Sequence, residues 1–196
     1  MLPNHMKRKK RFGPGIGKFR LTAKTAPAIL ISDLHLTPES PETLAYFHRF
    51  LESLGDIDSL YVLGDLFEYW LGDDAGETLG HSPVEDALKD LTNVGTPVRV
   101  MPGNRDFLLG QEFAYRTGTT ILKDATVQPF FDRQVLLLHG DSLCTDDEAH
   151  RKFRFIVDQP EWRLAFLDKP ISERDDIGRA IRFRSNIEKR YKTSRI

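Results

Sequence analysis

A chain of 196 residues, of which 40% are hydrophobic and 29% charged, is long enough for one globular domain with its own core and too short for two large ones. This composition excludes a disordered tail and a membrane-embedded helix bundle. The net charge of -1 hides a segregation: residues 1–25 carry eight basic and no acidic side chains, residues 179–196 carry seven basic and one acidic, and the segment between them carries 13 basic and 28 acidic.

The sequence contains no apolar run near the roughly 18 residues that cross a bilayer, and no apolar stretch follows the basic residues at its start as in a signal peptide. We therefore expect a cytoplasmic protein. The single cysteine, Cys144, cannot form an internal disulfide, which fits a reducing compartment. Nothing around Cys144 resembles a Cys/His catalytic pair, so we interpret it as a small packing residue.

The chain divides into three segments by composition. Residues 1–25, with their basic residues and glycines but no apolar periodicity, are predicted to form a disordered basic extension. Residues 26–145 contain short apolar runs typical of strands buried on both faces, and they are predicted to form the core. Residues 146–196 have a charged helical pattern with many apolar positions, which predicts a small helical cap. The apolar runs are residues 28–35, 60–65, 98–104 and 135–141.

Helical patterns lie between these runs. Apolar residues recur at three- and four-residue spacing from Leu44 to Leu54, which predicts an amphipathic helix. A second helix is predicted to begin at Ser82 as its N-cap, with Glu85 completing a capping box. Strands that alternate with helices favour an α/β fold with right-handed crossovers.

The pattern changes after the third run. Residues 126–131 and 134–138 are predicted to form a β-hairpin that leads into the fourth run. A hairpin added to parallel units indicates a mixed sheet or a sandwich of two sheets. We therefore predict a mixed-sheet sandwich flanked by helices, with the helical cap following it.

Each apolar run ends in side chains that bind metals or phosphate. Because ligands bind at the carboxyl ends of strands in open α/β sheets, we expect these side chains to converge. Carboxylate, imidazole and amide oxygen together suit divalent ions such as manganese, zinc or iron. The side chains are those of Asp33 and His35, Asp65, Asn104 and Arg105, and His139 and Asp141.

Two metal ions roughly 3.5 to 4 Å apart are a common device for hydrolysing phosphate esters, because they generate hydroxide and hold the phosphoryl oxygens. Asp65, from the middle of the predicted sheet, is the best candidate for a carboxylate shared by two ions. The four strand ends in this order predict a dinuclear metallohydrolase.

The order Asp-x-His, Gly-Asp, Gly-Asn and His resembles that of the calcineurin-like metallophosphoesterases. The third block departs from the usual pattern, because Arg105 stands where most members carry histidine. Longer blocks resemble a narrower family within that group, the UDP-2,3-diacylglucosamine hydrolases of lipid A biosynthesis. These blocks are GDLFEYWLGDD at residues 64–74, GNRDFLLG at 103–110 and HGDSLCTDD at 139–147.

The resemblance implies hydrolysis of the pyrophosphate of UDP-2,3-diacylglucosamine to UMP and 2,3-diacylglucosamine 1-phosphate, with two divalent ions, usually Mn²⁺. It assigns the metal ligands to Asp33, His35, Asp65, Asn104 and His139. It assigns substrate contacts to Asn104, Arg105, Asp147, Ser185, Lys189 and Lys192. Arg105 suits a phosphate group on physical grounds as well, because its planar, permanently charged guanidinium matches phosphate oxygens.

The family's closing Gly-His-x-His block is missing after His139, where the only further histidine is His150. We interpret His150 as a cap-surface or acyl-pocket residue. The sequence therefore predicts a chain without the last strands and the last two metal ligands of the fold. On that reasoning we expect weak metal binding and low hydrolase activity.

A diacylated substrate implies work at a membrane, and we expect a peripheral position on the cytosolic face of the bacterial inner membrane. The basic helix over residues 179–192, with Trp162 and Phe166, is predicted to contact the membrane surface. One alternative is another phosphodiesterase or nuclease of the superfamily, although the acidic middle segment argues against nucleic acid. The other alternative is a non-catalytic, truncated remnant.

Overall fold

The computed structural model of the protein describes residues 26–193, with side chains up to Phe183. The basic extension predicted for residues 1–25 lies outside this part of the chain.

Four parallel strands form the central sheet in the order β1, β2, β3, β4. The predicted α/β architecture is confirmed, and the first three apolar runs are its first three strands. β4 escaped prediction because two residues, one of them exposed, make no recognisable apolar run. The strands are β1 (Ala28–Ile31), β2 (Ser59–Leu63), β3 (Val98–Met101) and β4 (Thr120–Ile121).

Three helices accompany this sheet: α1 (Pro41–Ser53), α2 (Ser82–Asn93) and α3 (Gln111–Thr117). Leu60 and Val62 of β2 share one buried apolar cluster with Phe47 of α1 and Leu88 of α2. This cluster is the main core, and it exists because alternate residues of a strand point to opposite faces of the sheet.

The predicted start of α2 is wrong in detail. Ser82 is the first helical residue, and His81 precedes the helix without a side-chain capping hydrogen bond. Glu85 accepts hydrogen bonds from the Arg116 guanidinium at 2.8 and 2.9 Å. A tertiary ion pair with α3 thus takes the carboxylate that the capping box would have used.

The predicted hairpin is confirmed as β5 (Thr126–Phe130) and β6 (Arg133–Leu137), which pair antiparallel. Within the described residues the hairpin forms a two-stranded sheet of its own. Its Leu137 and Phe130 pack with Tyr61 on the face of the parallel sheet opposite the main core. The parallel sheet therefore lies between helices on one side and the hairpin on the other.

The segment after residue 146 is helical, as the sequence predicts, with α4 (Glu148–Val157), α5 (Pro160–Leu167) and α6 (Ile171–Thr193). Phe166 of α5 belongs to the main core cluster. The buried Arg174 of α6 donates to the Leu71 carbonyl and pairs with Asp74. These contacts join the helices to the core, and a separate cap spanning 146–196 stays a prediction. Within residues 26–193, no helix is both long enough and apolar enough to cross a membrane.

Candidate metal centre

Three residues just beyond β1 and β2 take left-handed backbone conformations that are unusual outside glycine. Their φ angles are 56° at Asp33, 50° at His35 and 54° at Asp65. The N–H of Asp33 donates to the Gly64 carbonyl, and the N–H of His35 donates to the Asp65 carbonyl, both at 3.0 Å. A left-handed residue other than glycine costs about 1–2 kcal/mol. The surrounding hydrogen bonds hold this strained loop in place, as is common at functional sites.

The side chains of the same three residues converge. One ligand atom from each of Asp33, His35 and Asp65 lies within 4.8 Å of the other two. Burial raises the pKa of the Asp65 carboxyl, against the opposing effects of the Arg105 backbone N–H and the neighbouring histidines. A divalent cation would favour the ionised form of this buried carboxylate. Two carboxylates and an imidazole are also a suitable donor set, so these residues fit a metal ion.

His139 and Asn104 adjoin this group on the other side of Asp65. His139 Nδ1 lies 3.0 Å from the Leu63 carbonyl oxygen, which can only accept a hydrogen bond, so Nδ1 carries the proton. In the neutral imidazole, Nε2 then turns its lone pair toward Asn104 Oδ1 at 3.0 Å and Asp65 Oδ1 at 3.7 Å. A cation would stabilise three lone pairs that face one another. The structure thus brings together all five side chains that the sequence predicts as metal ligands.

Gly64 makes room for the His139 ring. Its φ is +92°, and a Cβ at this position would lie 2.1 Å from His139 Nδ1. The glycine of the Gly-Asp pair is therefore required both by its backbone conformation and by the histidine packed against it.

Arg105 lies beside the metal-binding group without belonging to it. Its backbone N–H donates to Asp65 Oδ1 at 2.8 Å, and its Nε lies 3.8 Å from Asp65 Oδ2. Its Nη1 lies 3.4 Å from Glu68 Oε1. Two carboxylates therefore fix the guanidinium, which is largely buried at the edge of the site.

Two further acidic residues support the site, and motif reasoning assigned them no role. Asp106 is fully buried and accepts the backbone N–H groups of Gly103 at 2.7 Å and Phe67 at 3.2 Å. Burial raises the pKa of Asp106 to about 6. Asp124 accepts the backbone N–H of His139 at 3.0 Å. Both carboxylates tie together the loops that present the ligands, and only tertiary structure reveals that function.

A cavity of about 610 Å³ opens next to Asn104 and Arg105. Much of its lining is apolar and aromatic, and it includes residues of α4, α5 and α6. The Phe107 ring packs against Phe153 and Trp162 with centroids 6.0 and 6.1 Å apart. The apolar lining comprises Tyr69, Trp70, Leu71, Phe107, Leu108, Phe153, Trp162, Phe166 and Ile181.

The predicted substrate residue Asp147 also lines this cavity. It caps α4 by accepting the His150 backbone N–H at 3.0 Å. Asp141 lines the cavity too, but its carboxylate pairs with α4, at 3.2 Å from His150 Nε2 and 3.4 Å from Arg154 Nε. Asp141, which the sequence expects to converge with the other strand-end side chains, thus lines the same cavity as Asn104 and Arg105 while its charge pairs with α4.

The other predicted substrate residues, Ser185, Lys189 and Lys192, lie beyond Phe183 and so outside the described side chains. Their assignment stays a prediction.

The chain belongs to the calcineurin-like phosphoesterase family, whose family model matches residues 26–191. It is similar to the UDP-2,3-diacylglucosamine hydrolase of Aromatoleum aromaticum, at 48% identity over 86% of this chain and 69% of that protein. The hydrolase of the same name from Serratia proteamaculans is 43% identical over 86% of this chain and 70% of its own length. The Neisseria meningitidis serogroup B hydrolase is 41% identical, with 87% and 71% covered. The resemblance found in the motifs is confirmed, and family membership implies divalent metal ions.

Proposed function

We propose that this chain hydrolyses the pyrophosphate bond of UDP-2,3-diacylglucosamine to UMP and 2,3-diacylglucosamine 1-phosphate. The observation that carries the proposal is the continuity of three features: the converging ligand atoms of Asp33, His35 and Asp65, the fixed Arg105 guanidinium, and the aromatic cavity beside it. A substrate with a diphosphate next to a diacylated sugar has the same order of charge and apolar surface. The names of the similar proteins support this substrate.

We assign two Mn²⁺ ions to the site as its cofactors. Asp33 and His35 would hold one ion, Asn104 and His139 the other, and Asp65 would serve both. Bound ions of this kind supply hydroxide near neutral pH and neutralise phosphoryl oxygens. The lone pairs of His139, Asn104 and Asp65 that face one another support this division.

Arg105 would bind and orient the phosphoryl group. Its guanidinium is held at one side by Asp65 and Glu68 and lines the cavity, so donor groups remain for phosphate oxygens. An arginine cannot accept a proton, so its contribution is charge and orientation. Burial strengthens this contribution, because few water molecules compete.

The aromatic cavity would bind an acyl chain. Each methylene group that moves from water into such a pocket contributes about 0.8 kcal/mol. Asp147, which lines the cavity, would contact the substrate together with Ser185, Lys189 and Lys192.

Membrane contact would come from the outer face of the cap. Trp162 and Phe166, predicted to contact the membrane surface, line the cavity, and Arg182 turns inward to Glu68. Four other large apolar side chains on α4 and α5 are exposed: Phe155, Ile156, Leu164 and Leu167. Phe155 and Ile156 lie beside Arg151 and Lys152. Exposed apolar and basic side chains together suit an anionic membrane surface, so we place the enzyme peripherally on the inner membrane.

Vesicle flotation tests the membrane proposal. With vesicles rich in anionic phospholipid, Leu164→Glu should reduce the bound fraction severalfold. Tyr115→Glu is a matched control, because Tyr115 is a similarly exposed apolar residue on α3. Equal flotation of wild type and Leu164→Glu would remove this surface from consideration.

The activity is tested by UMP release from UDP-2,3-diacylglucosamine with and without Mn²⁺. Asp33→Asn should lower kcat/KM by more than about 100-fold. Substitution of residues that only contact a metal ligand already costs about 10–100-fold in metal affinity or activity. The exposed Asp86 of α2 provides the control Asp86→Asn, which should leave the rate unchanged. No UMP release by the Mn²⁺-loaded chain would contradict the proposal, and cleavage of bis(4-nitrophenyl) phosphate alone would favour another phosphodiesterase activity. The low rate expected from the sequence stays a prediction, which a rate equal to that of the Aromatoleum aromaticum relative would contradict.

A further inference from the structure

The loop after β2 carries a carboxylate, Glu68, to which the proposed function gives no role beyond holding Arg105. Its backbone N–H donates to the Leu36 carbonyl at 3.0 Å, and the Leu36 N–H donates to the Leu66 carbonyl at 2.9 Å. These bonds join the loop after β1 to the loop after β2. Glu68 is consequently held beside His35 by the backbone itself.

The two oxygens of Glu68 face different partners. Oε2 lies 3.3 Å from His35 Nδ1, an atom that is shielded from solvent and makes no hydrogen bond within the described residues. Oε1 lies 3.4 Å from Arg105 Nη1 and also contacts Arg182 Nη2 of α6. One carboxylate therefore joins three separate segments of the chain at the edge of the metal-binding group.

The orientation of the His35 ring gives this contact its significance. Nδ1 faces Glu68, while Nε2 faces the metal-binding group, 3.9 Å from Asp65 Oδ2. The negative charge of a carboxylate this close to one ring nitrogen favours the proton on that nitrogen, even without an aligned hydrogen bond, and leaves the lone pair on the other nitrogen. Partners of this kind orient metal-binding histidines and raise their basicity.

We propose that Glu68 is a positioning residue that fixes His35 with Nδ1 protonated and Nε2 free for metal, while it aligns Arg105 and Arg182 at the cavity. Two acceptor oxygens are needed, one for the histidine and one for the arginines. A glutamine has only one acceptor oxygen and would present an NH₂ group to one side. This inference rests on the metal site in the proposed function, which it extends beyond the ligands.

The variant Glu68→Gln tests the assignment, with Glu85→Gln as a matched control. Glu85 is also partly buried and paired with an arginine, but its partner Arg116 lies on α3, away from the metal-binding group. Glu68→Asp serves as a second variant if glutamine impairs folding, because it keeps the charge but shortens the side chain by one methylene. The melting temperature of each variant reports whether it folds.

The first measurement is the tautomer of His35, read from long-range ¹H–¹⁵N correlations and assigned by the loss of its signals in His35→Gln. Wild type and Glu85→Gln should show the proton on Nδ1, and Glu68→Gln should move it toward Nε2. The second measurement is Mn²⁺ affinity by titration calorimetry, which Glu68→Gln should lower by about 10-fold or more. Glu68→Asp should fall between wild type and Glu68→Gln in both.

An unchanged tautomer with Mn²⁺ affinity within twofold of wild type in Glu68→Gln would overturn the proposal. Equal effects in Glu85→Gln would overturn it as well, because loss of any arginine-paired carboxylate would then suffice. The tautomer measurement needs neither metal nor substrate. Failure of the wild-type chain to release UMP would therefore count against the proposed function alone.

Discussion

The pH dependence of stability tests the burial of His81, the histidine that precedes α2. His81 is 2% exposed and packs against the rings of Phe67, Trp70 and Tyr69, at ring-centroid distances of 4.6, 5.4 and 6.5 Å. Its Nε2 has no hydrogen-bond partner within the described residues. Burial lowers the pKa of His81 to about 4, despite the opposing effect of Glu39.

The direction and size of the pH effect on the free energy of unfolding follow from the difference in the pKa of His81 between the folded and unfolded states. The pKa of the folded state lies below the ordinary value near 6.5, so the neutral form is favoured by folding. Stability from this residue is present above pH 6.5 and is lost as the pH falls toward 4. The difference between the two pKa values corresponds to about 3 kcal/mol in full, of which about 2 kcal/mol is lost by pH 5.

The measurement is the free energy of unfolding by urea at pH 7.5, 6.5, 5.5 and 5.0, for wild type and His81→Gln. Glutamine does not titrate in this range and can still donate a hydrogen bond, so the difference between the two proteins isolates the histidine from other groups. Wild type should lose about 2 kcal/mol more than the variant between pH 7.5 and 5. Parallel loss of stability in the two proteins would refute the reasoning that the folded state keeps His81 neutral.

Three further outcomes are expected. Gly64→Ala should lower Mn²⁺ affinity at least about 10-fold, because the new methyl group would displace the His139 ring. Gly95→Ala is the control, since Gly95 has a similar φ of +94° and open space around it, and it should only destabilise the fold. Equal Mn²⁺ binding by the two variants would contradict this prediction. Mn²⁺ at 100 times its dissociation constant should raise the free energy of unfolding by about 2.7 kcal/mol in thermal denaturation. Asp65→Asn should abolish that rise, and a rise that persists in this variant would place the ion elsewhere. Trp162→Ala should raise KM for the diacylated substrate severalfold while Tyr115→Ala leaves it unchanged, and an unaltered KM would exclude the aromatic cavity as the acyl site.

Much of the site was predictable because strand order and residue type carry the information. Asp33, Asp65 and Asn104 each follow an apolar run, and parallel neighbouring strands end at the same edge of a sheet. No pairing information was needed for that inference. His139 reaches the same edge from the hairpin, and the motif order supplied it.

The remainder depended on contacts that a sequence does not encode locally. Glu68 and Asp106 look like ordinary acidic residues near a motif, and only the fold shows one facing His35 and the other fully buried under backbone N–H groups. Asp141 sits in a motif-like position, yet the partner that determines its orientation comes from α4. The membrane contact predicted for Trp162 and Phe166 came from the diacylated substrate that the resemblance implies, and only the fold shows that both residues line a cavity.

The left-handed conformations of Asp33, His35 and Asp65 have a consequence for how such a sequence changes over time. Glycine would relieve each position of about 1–2 kcal/mol of backbone strain, so selection for stability alone would replace all three. A population under that selection would accumulate glycines and lose its metal ligands together. Three polar residues at positions where glycine would be less strained fit a site in which function opposes stability, so a stabilised variant of this chain should leave them unchanged.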